Sequence, residues 1–450
     1  MAIIGASRNR GKIGYIILEN MILQKYKGSI YPVNPFAEMI LNNPVYSKIK
    51  DIPESVDLAI IALTAQQVPK IVQECGEKGI KGIIIVTGGF GETGNEIGTE
   101  RENEITKIAH KYGMQIIGPN CIGIFDPYSG INSFLVPRER TIGYPTKGNI
   151  ALLSQSGAIL VTLLEWCAYR GIGISKTCSY GNAVDVNESD LLGYLKQDTT
   201  TKVIGMYVEG VKEGRRFYKT LREVTKAKPV IISKVGKTEA GAKASKSHTG
   251  SLAGSVESFK AMFKQTGVIT AKDLEELLDI CYCFATQPLP KGNNVGIITN
   301  SGGHGVLAAD ALENNDLRLA EFSSKTLEQL HSLPQHCTPS NPVDLAADAD
   351  TERYEWVTKL ILSDPQVDSV LVVTIPSGPN IEFQTIKTLV AVMKSSKKPI
   401  ISCLGSTFKQ FEKYKRFLEW NKIPVHTLPE RAIRTLGALV EYKRWYQHVQ

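Results

Sequence analysis

Short apolar runs rich in β-branched residues alternate along the whole chain with helical segments of about a dozen residues. This alternation predicts parallel β-sheets whose strands are joined by crossover helices. Connectors that carry proline and glycine interrupt the alternation at 137–148 and at 287–292. The sequence therefore predicts an α/β protein with three domains, at 1–136, 137–286 and 287–450.

The apolar runs predict five strands in the first series, four in the second and three in the third. The first series is typical of a Rossmann-like unit. In chain order the predicted strands are Ala2–Ala6, Ser29–Val33, Asp57–Leu63, Gly82–Thr87, Met114–Ile117, Asn149–Leu153, Ile174–Cys178, Val203–Val208, Pro229–Ser233, Asn294–Thr299, Asp368–Thr374 and Pro399–Leu404.

Two segments of the second and third series match position by position. Residues 149–157 read NIALLSQSG and residues 294–302 read NVGIITNSG, so each predicts a buried strand, a tight turn with Ser-Gly and a helix. The free amides at such a helix N-terminus attract phosphate. One turn alone is equally well explained by packing, but two copies favour two helix N-termini that face one phosphate. The candidate phosphate-binding residues are Ser154, Gln155, Ser156, Gly157, Asn300, Ser301, Gly302 and Gly303.

The first strand leads into a glycine-bearing turn, Gly5-Ala6-Ser7, with Gly11 and Gly14 before an apolar helix. This is a loose relative of the dinucleotide-binding fingerprint, and an ordinary turn with solvated surface charges is the alternative. An NAD-dependent oxidoreductase is disfavoured, because Asn34 stands where an acidic residue would hold the ribose. The candidate ligand contacts in this series are Gly5, Ser7, Arg8, Lys12, Asn34, Pro35, Gly88, Gly89 and Asn120.

The composition and charge of the chain limit the kinds of molecule that it is expected to bind. Lys and Arg number 52 against 45 acidic residues, and the net charge of +7 is spread along the chain, which favours small polyanions over nucleic acid. No apolar stretch approaches the roughly 20 residues that cross a bilayer, and the eight cysteines include no Cys-x-x-Cys pair. These features predict a cytoplasmic protein with neither a metal site nor a membrane segment. Cys121 has no histidine near it in sequence and is interpreted as a residue that lines a pocket.

A long loop of small residues occupies positions 236–255. Twelve of its twenty residues are Gly, Ala or Ser, and His248 lies in it among hydroxyl-bearing neighbours. A histidine in a polar loop is more often simply solvated, but the loop length and the two phosphate-type turns favour a nucleophile that carries a phosphoryl group. Such a histidine needs a carboxylate on its other ring nitrogen. Glu209, at the end of a predicted strand, is the candidate, with Glu213 and Glu239 as rivals.

Together these motifs resemble the α subunit of the ADP-forming acyl-CoA synthetases, in particular the archaeal acetyl-CoA synthetases, which are related to succinyl-CoA synthetase. The resemblance covers essentially the whole chain. The motifs that carry it are GASRNRGKIG at 5–14, GPNCIG at 118–123, SQSGA at 154–158, SYGNAVDVNESD at 179–190, YVEGVKEGRRF at 207–217, SHTGSLAGS at 247–255, NSGGHG at 300–305 and NPVDL at 341–345.

The resemblance implies a CoA-binding Rossmann-like domain followed by two flavodoxin-like domains of the succinyl-CoA synthetase type. It also implies that His248 is phosphorylated, that Glu209 steadies the histidine, and that the two turns hold phosphate. In this family acyl-CoA and phosphate give acyl phosphate and free CoA. The histidine then takes the phosphoryl group and delivers it to ADP.

The chain contains neither a Walker A sequence nor the ATP-grasp module that binds ADP in this family. The resemblance therefore implies a separate ATP-grasp β subunit, an α2β2 assembly, and Mg²⁺ bound with ADP or ATP in that partner. The first predicted strand begins at residue 2, without the short leader that usually precedes it. A catalytically inactive, CoA-binding regulatory protein is the alternative, although intact His248 and Glu209 argue against it.

Overall fold

The computed structural model describes residues 1–241 and 255–449. Within these residues the first of two compact units holds two large sheets, and the second unit holds one. The division into three domains that the sequence predicts stays a prediction. The first unit consists of Met1–Tyr169 and Gly173–Lys272, and the second of Arg170–Ile172 and Asp273–Gln450.

The amino-terminal part of the first unit builds a five-stranded parallel sheet. Its elements are β1 (Ala2–Ile4), α1 (Ile13–Leu23), β2 (Tyr31–Val33), the hairpin strands β3 (Met39–Ile40) and β4 (Asn43–Pro44), β5 (Leu58–Ile61), α2 (Val68–Lys78), β6 (Gly82–Ile85), α3 (Glu96–Tyr112) and β7 (Gln115–Ile117). The strand order is β2-β1-β5-β6-β7, with Ile4 level with Val33 on one side and with Ile61 on the other. Isoleucine and alanine bury both faces of the central strands, as the continuous apolar runs predict.

The rest of the first unit builds a seven-stranded sheet. Its elements are β8 (Gly123–Asp126), β9 (Ile131–Asn132), β10 (Lys147–Ser154), α4 (Gly157–Arg170), β11 (Ile174–Ser179), α5 (Glu188–Gln197), β12 (Val203–Val208), α6 (Gly214–Thr225), β13 (Val230–Lys234), α7 (Val256–Thr266) and β14 (Ile269–Thr270). The strand order is β14-β13-β12-β10-β11-β8-β9, in which β8 and β9 are antiparallel additions at one edge. These two strands were not predicted from the sequence, because they are short and carry no long apolar run.

The second unit builds one six-stranded parallel sheet. Its elements are α8 (Leu274–Thr286), β15 (Asn294–Thr299), α9 (Gly302–Glu313), β16 (Arg318–Leu319), α10 (Ser324–Leu330), β17 (Val343–Asp344), α11 (Thr351–Ser363), β18 (Ser369–Thr374), α12 (Phe383–Lys394), β19 (Ile400–Leu404), α13 (Glu412–Trp420), β20 (Val425–His426) and α14 (Pro429–Val449). The strand order is β16-β15-β18-β19-β20, and β17 pairs with the later part of β15.

The predicted α/β class, with its mostly parallel sheets, is confirmed. Every predicted strand overlaps an observed one, and β12 and β15 have the predicted bounds. The strand β1 ends at Ile4 instead of Ala6, because Gly5 has a φ of +89° and turns the chain out of the sheet. None of the helices in the described ranges has both the length and the apolar character that crossing a bilayer requires.

Candidate active site

A cavity of about 1130 Å³ opens at the carboxyl ends of β1, β2, β5 and β6. Ligands of parallel α/β sheets bind at this edge. Arg8, Gly89 and Asn120 do not belong to the described lining of the cavity, and Arg8 instead donates a hydrogen bond to the Phe36 carbonyl at 3.2 Å. The predicted ligand contacts that do line the cavity are Gly5, Ser7, Lys12, Asn34, Pro35 and Gly88.

The turn after β1 brings the start of α1 close to the sheet. A β-carbon at Gly14 would lie 2.0 Å from the Gly5 carbonyl oxygen, so this approach requires glycine. The side-chain amide of Asn34 donates to the Ala6 carbonyl at 2.6 Å, and its oxygen accepts from the Phe36 amide at 2.7 Å. Asn34 therefore joins the loops after β1 and β2, at the position where a nicotinamide-binding fold places an acidic residue.

Besides Lys12, which the sequence motif contains, the cavity carries cationic and aromatic side chains that the motifs did not reveal. The lining holds five lysines and only two carboxylates, Glu74 and Glu77. Because positive charge is in excess, the cavity suits a ligand with several phosphates. Phe36 is 83% exposed and presents a free ring face on which a base can stack. The lysines of the lining are Lys12, Lys48, Lys50, Lys70 and Lys78. The helical spacing of Lys70, Glu74 and Lys78 on α2 is the sequence signal that could have identified this face.

Asn182, inside the SYGNAVDVNESD run, joins segments that are far apart in sequence. Its side-chain amide donates to Glu92 at 2.6 Å and to Glu102 at 3.0 Å. The same carboxylates accept the backbone N–H groups of Gly89 at 2.6 Å and Gly91 at 2.9 Å. Burial alone would raise the pKa of Glu92, but the hydrogen bonds from Asn182 and Gly89 hold it below its ordinary value. The backbone N–H of Gly89 is therefore already bonded to Glu92. The role of Gly89 as a ligand contact stays a prediction.

The first of the two matching turns follows β10. The Ser154 hydroxyl donates to the Ser156 carbonyl at 2.7 Å and accepts from the Ser156 amide at 3.1 Å, which closes the turn. The side chain of Gln155 reaches the end of β12, where its oxygen accepts the N–H groups of Glu209 and Gly210 and its nitrogen donates to the Gly210 carbonyl at 2.8 Å. The turn leads directly into α4, whose first N–H groups have no partner within the helix. A helix N-terminus that attracts anions is thus fixed to the backbone of Glu209.

The second turn, after β15, repeats this bonding pattern within the other unit. The Thr299 hydroxyl donates to the Ser301 carbonyl at 3.0 Å and accepts from its amide at 2.9 Å. Asn300 accepts the N–H of Ile375 at 2.8 Å and donates to its carbonyl at 3.2 Å, just beyond β18. The sequence match is therefore a structural match, but Ile375 stands where the first turn has Glu209. The expectation that both turns face one phosphate stays a prediction.

Glu209 is the buried member of the three carboxylates considered as partners for the histidine. It is 4% exposed, whereas Glu213 and Glu239 are exposed. The Glu213 carboxylate already pairs with Arg216 at 3.0 Å. His248 lies outside the described residues, so its role as the phosphoryl carrier, and that of Glu209 as its partner, stay predictions.

A second carboxyl group is buried in the same sheet domain. Glu188 begins α5, is 2% exposed, and has one carboxyl oxygen without a hydrogen-bond partner among the described residues. Burial raises the pKa of Glu188 to about 7. Burial also raises the pKa of Tyr180, and the charges of Glu188 and Glu209 add to that effect, so Tyr180 lies within electrostatic reach of both carboxylates. The motif that contains Glu188 was identified from sequence, but its burial was not.

Replacing Glu188 with glutamine is expected to stabilise the protein at alkaline pH and to leave it unchanged at acid pH. The ordinary pKa is 4.5, so between pH 4.5 and about 7 the folded state binds more protons than the unfolded state, and wild-type stability falls as pH rises. The neutral amide avoids this loss, which is at most about 3 kcal/mol above pH 7. Thermal unfolding at about pH 5 and about pH 8.5 measures the effect, with exposed Glu213→Gln as control. The same shift at both pH values would contradict the assignment.

Cys121 does not belong to the described lining of the cavity above, and its interpretation as a residue that lines a pocket stays a prediction. It is 4% exposed, and its thiol lies 3.4 Å from the Ile85 carbonyl that accepts its hydrogen bond. Burial raises the pKa of Cys121 to about 12, so the thiol stays protonated and is a poor nucleophile. Across residues 1–241 and 255–449, no three His, Cys, Asp or Glu side chains are grouped in a way that could hold a metal ion.

Three family models match successive parts of the chain. A CoA binding domain matches residues 1–127, a succinyl-CoA ligase like flavodoxin domain matches 147–284, and a ligase-CoA domain matches 295–449. The cavity therefore lies in the part that matches the CoA binding domain, and the first turn lies in the part that matches the succinyl-CoA ligase like domain.

Relatives of this chain are similar over nearly its whole length. The α subunit of acetate–CoA ligase [ADP-forming] II from Pyrococcus furiosus is 42% identical over 447 residues, which cover 98% of this chain and 95% of that subunit. The acetate–CoA ligase [ADP-forming] of Methanocaldococcus jannaschii is 41% identical over 98% of this chain, but the match spans 62% of its own length.

A solved structure is also similar to this chain over its whole length. The dinucleotide-forming acetyl-coenzyme A synthetase 1 of Candidatus Korarchaeum cryptofilum, in complex with phosphate and ADP, matches with a TM-score of 0.92 and 34% identity, covering 100% of this chain and 96% of that one. The resemblance carried by the motifs is confirmed. The chain belongs to the family of ADP-forming acetate–CoA ligases with succinyl-CoA ligase-like domains, as a member of the α-subunit type.

Proposed function

We propose that this chain is the α subunit of an ADP-forming acid–CoA ligase of the acetate type, in which His248 carries a phosphoryl group between acyl phosphate and ADP. The observation that supports this most directly is the bonding of Gln155 to the backbone of Glu209. It fixes the backbone of a buried glutamate to the turn that begins a helix, and the N-terminus of that helix attracts phosphate. Both features are needed for a phosphohistidine.

In the first step, a phosphate oxygen attacks the thioester carbon of acyl-CoA. The C–S bond breaks, and the CoA sulfur leaves as a thiol after it takes a proton from the attacking phosphate. Negative charge gathers on the carbonyl oxygen and on the phosphate in the transition state. The backbone N–H groups of the turn at 154–157 and of the first turn of α4 would stabilise this charge without reorganising.

In the second step, a ring nitrogen of His248 attacks the phosphorus of the acyl phosphate. The P–O bond to the acyl group breaks, and the acid leaves as a carboxylate. The Glu209 carboxylate accepts a hydrogen bond from the other ring nitrogen, which fixes the tautomer and stabilises the positive charge on the ring. The phosphohistidine then transfers its phosphoryl group to ADP.

The cavity of the first sheet is the proposed site for CoA. Its five lysines supply positive charge for the phosphates of CoA, and its position at the carboxyl ends of the strands is where this type of sheet binds nucleotides. The sequence motifs add Arg8, Gly89 and Asn120 as proposed contacts, although these residues lie outside the described lining.

The names of two similar relatives support a partner subunit. Both are called α subunits of an ADP-forming acetate–CoA ligase, so we assign the remaining functions to a separate subunit. We propose that this partner is an ATP-grasp β subunit, that it binds ADP or ATP with Mg²⁺, and that the assembly is α2β2. All eight cysteines are buried. The cytoplasm, which is a reducing compartment, is the proposed location.

Intact-mass analysis after mixing the full-length chain with acetyl phosphate tests the proposal. An active enzyme is expected to gain one acid-labile phosphoryl group, and peptide mapping should place it on His248. A chain that binds CoA but gains no phosphoryl group would instead be the inactive regulatory protein.

Phe36→Ala is expected to raise the KM for CoA about 10-fold and to leave kcat nearly unchanged, because stacking of one base on an aromatic ring contributes about 1–3 kcal/mol. The ring is 83% exposed at the cavity and supports no core. Steady-state kinetics in the direction of acyl-CoA formation measure the change. Phe408, which is 69% exposed in the second unit, provides the matched control Phe408→Ala. An unchanged KM in Phe36→Ala would exclude stacking on this ring.

A further inference from the structure

Lys234, the last residue of β13, carries a buried charge next to Glu209. The residue is 7% exposed, and its Nζ lies 4.9 Å from the centre of the Phe259 ring. Burial lowers the pKa of Lys234, while the Glu209 carboxylate acts in the opposite direction. A lysine is seldom buried in this way unless its charge has specific partners.

The partners of the ammonium are two backbone carbonyls at the carboxyl edge of the sheet. Nζ donates to the Glu209 carbonyl at 2.8 Å and also to the carbonyl of Val235. The strands β12 and β13 are adjacent and parallel, with Val208 level with Lys234. The side chain therefore links the carboxyl ends of β12 and β13. Glu209 directly follows β12, and Val235 directly follows β13.

The peptide groups of Glu209 are held from both sides. Gln155, which follows β10, accepts the N–H of Glu209, and Lys234, at the end of β13, donates to its C=O. In the sheet, β12 lies between β10 and β13, so each neighbouring strand contributes one of these side chains. Fixing both backbone groups restricts the direction in which the carboxylate leaves the chain, as an accurately placed functional group requires.

We propose that Lys234 is a positioning residue for phosphoryl transfer, which fixes the backbone of Glu209 and places a positive charge beside its carboxylate. The inference rests on the proposed function, in which Glu209 steadies the phosphohistidine. Under this assignment the loss of Lys234 lowers the rate of transfer more than it lowers binding of the phosphoryl donor.

Lys228 serves as the matched control for Lys234, because it makes similar backbone contacts away from Glu209. Its Nζ also donates to two backbone carbonyls, those of Leu195 at 2.6 Å and Asp198 at 2.5 Å. Burial lowers its pKa as well. Lys228 precedes β13, so it lies at the end of that strand opposite to Lys234.

The test measures phosphorylation of the full-length chain by acetyl phosphate as a function of its concentration. Lys234→Met is expected to lower the maximum rate on the order of 100-fold, with little change in the concentration that gives half of that rate. Lys234→Arg keeps a charge and donors and should recover most of the rate. Lys228→Met should keep the wild-type rate while its thermal unfolding midpoint falls.

A wild-type rate in folded Lys234→Met, or equal losses of rate in both methionine variants, would overturn the inference. If Lys234→Met does not fold, Lys234→Gln, which keeps a donor without the charge, is judged by the same criterion. Glu209→Gln separates the two hypotheses. If Glu209→Gln is phosphorylated at the wild-type rate, the proposed role of Glu209 fails. If Glu209→Gln is impaired and Lys234→Met is not, only the role of Lys234 fails.

Discussion

Replacing His248 with asparagine is expected to lower ATP formation from acetyl-CoA, phosphate and ADP by at least about a thousandfold, because asparagine has no ring nitrogen that can carry the phosphoryl group. The first chemical step does not use the histidine, so formation of acetyl phosphate from acetyl-CoA and phosphate should persist. The assembly of this chain with its β partner, assayed for ATP and for acetyl phosphate separately, measures both effects. Loss of one with retention of the other is the signature of a phosphohistidine enzyme.

The exposed His331 supplies the matched control, since His331→Asn makes the same chemical change in the second unit. It should leave both activities at the wild-type level. Undiminished ATP formation by the assembly that contains His248→Asn would refute the proposed function. Loss of both activities, with a normal unfolding transition, would assign the histidine to the first step instead.

Glu209→Gln is expected to lower the rate of phosphoryl transfer on the order of 1000-fold, because a neutral amide neither fixes the right imidazole tautomer nor balances the positive ring. The side chain is 4% exposed and nearly isosteric with glutamine, so the fold should be retained. Rapid-quench measurements of phosphohistidine formation from acetyl phosphate give the rate. The KM for CoA should not change, because Glu209 does not line the cavity proposed to bind CoA.

Variants of the two rival carboxylates show which of the three glutamates is the partner of the histidine. Glu213→Gln and Glu239→Gln change exposed groups, and Glu213 already pairs with Arg216. Both variants should react at nearly the wild-type rate. If either of them is impaired as strongly as Glu209→Gln is expected to be, the histidine has a different partner from the one proposed.

The fold was largely predictable because the longer strands and the two matching turns depend on residues that are adjacent in sequence. The strands β12 and β15 have the predicted bounds, and the match between residues 149–157 and 294–302 reappears as a match in hydrogen bonding. The strands β8 and β9 escaped prediction, because these short segments become part of a sheet only when β8 pairs with β11 and β9 pairs with β8. The role of His248 stays a prediction, since it lies outside the described residues.

The sequence by itself determined the alternation of strands and helices and the two matching turns, and it selected Glu209 as the candidate carboxylate. Only the tertiary structure decided which side chains bond to the backbone of Glu209 and which lysines line the cavity. Gln155 and Lys234 reach Glu209 because β10 and β13 flank β12 in the sheet. The order of strands across a parallel sheet differs from their order along the chain, so these contacts join residues whose separation in sequence carries no sign of their proximity.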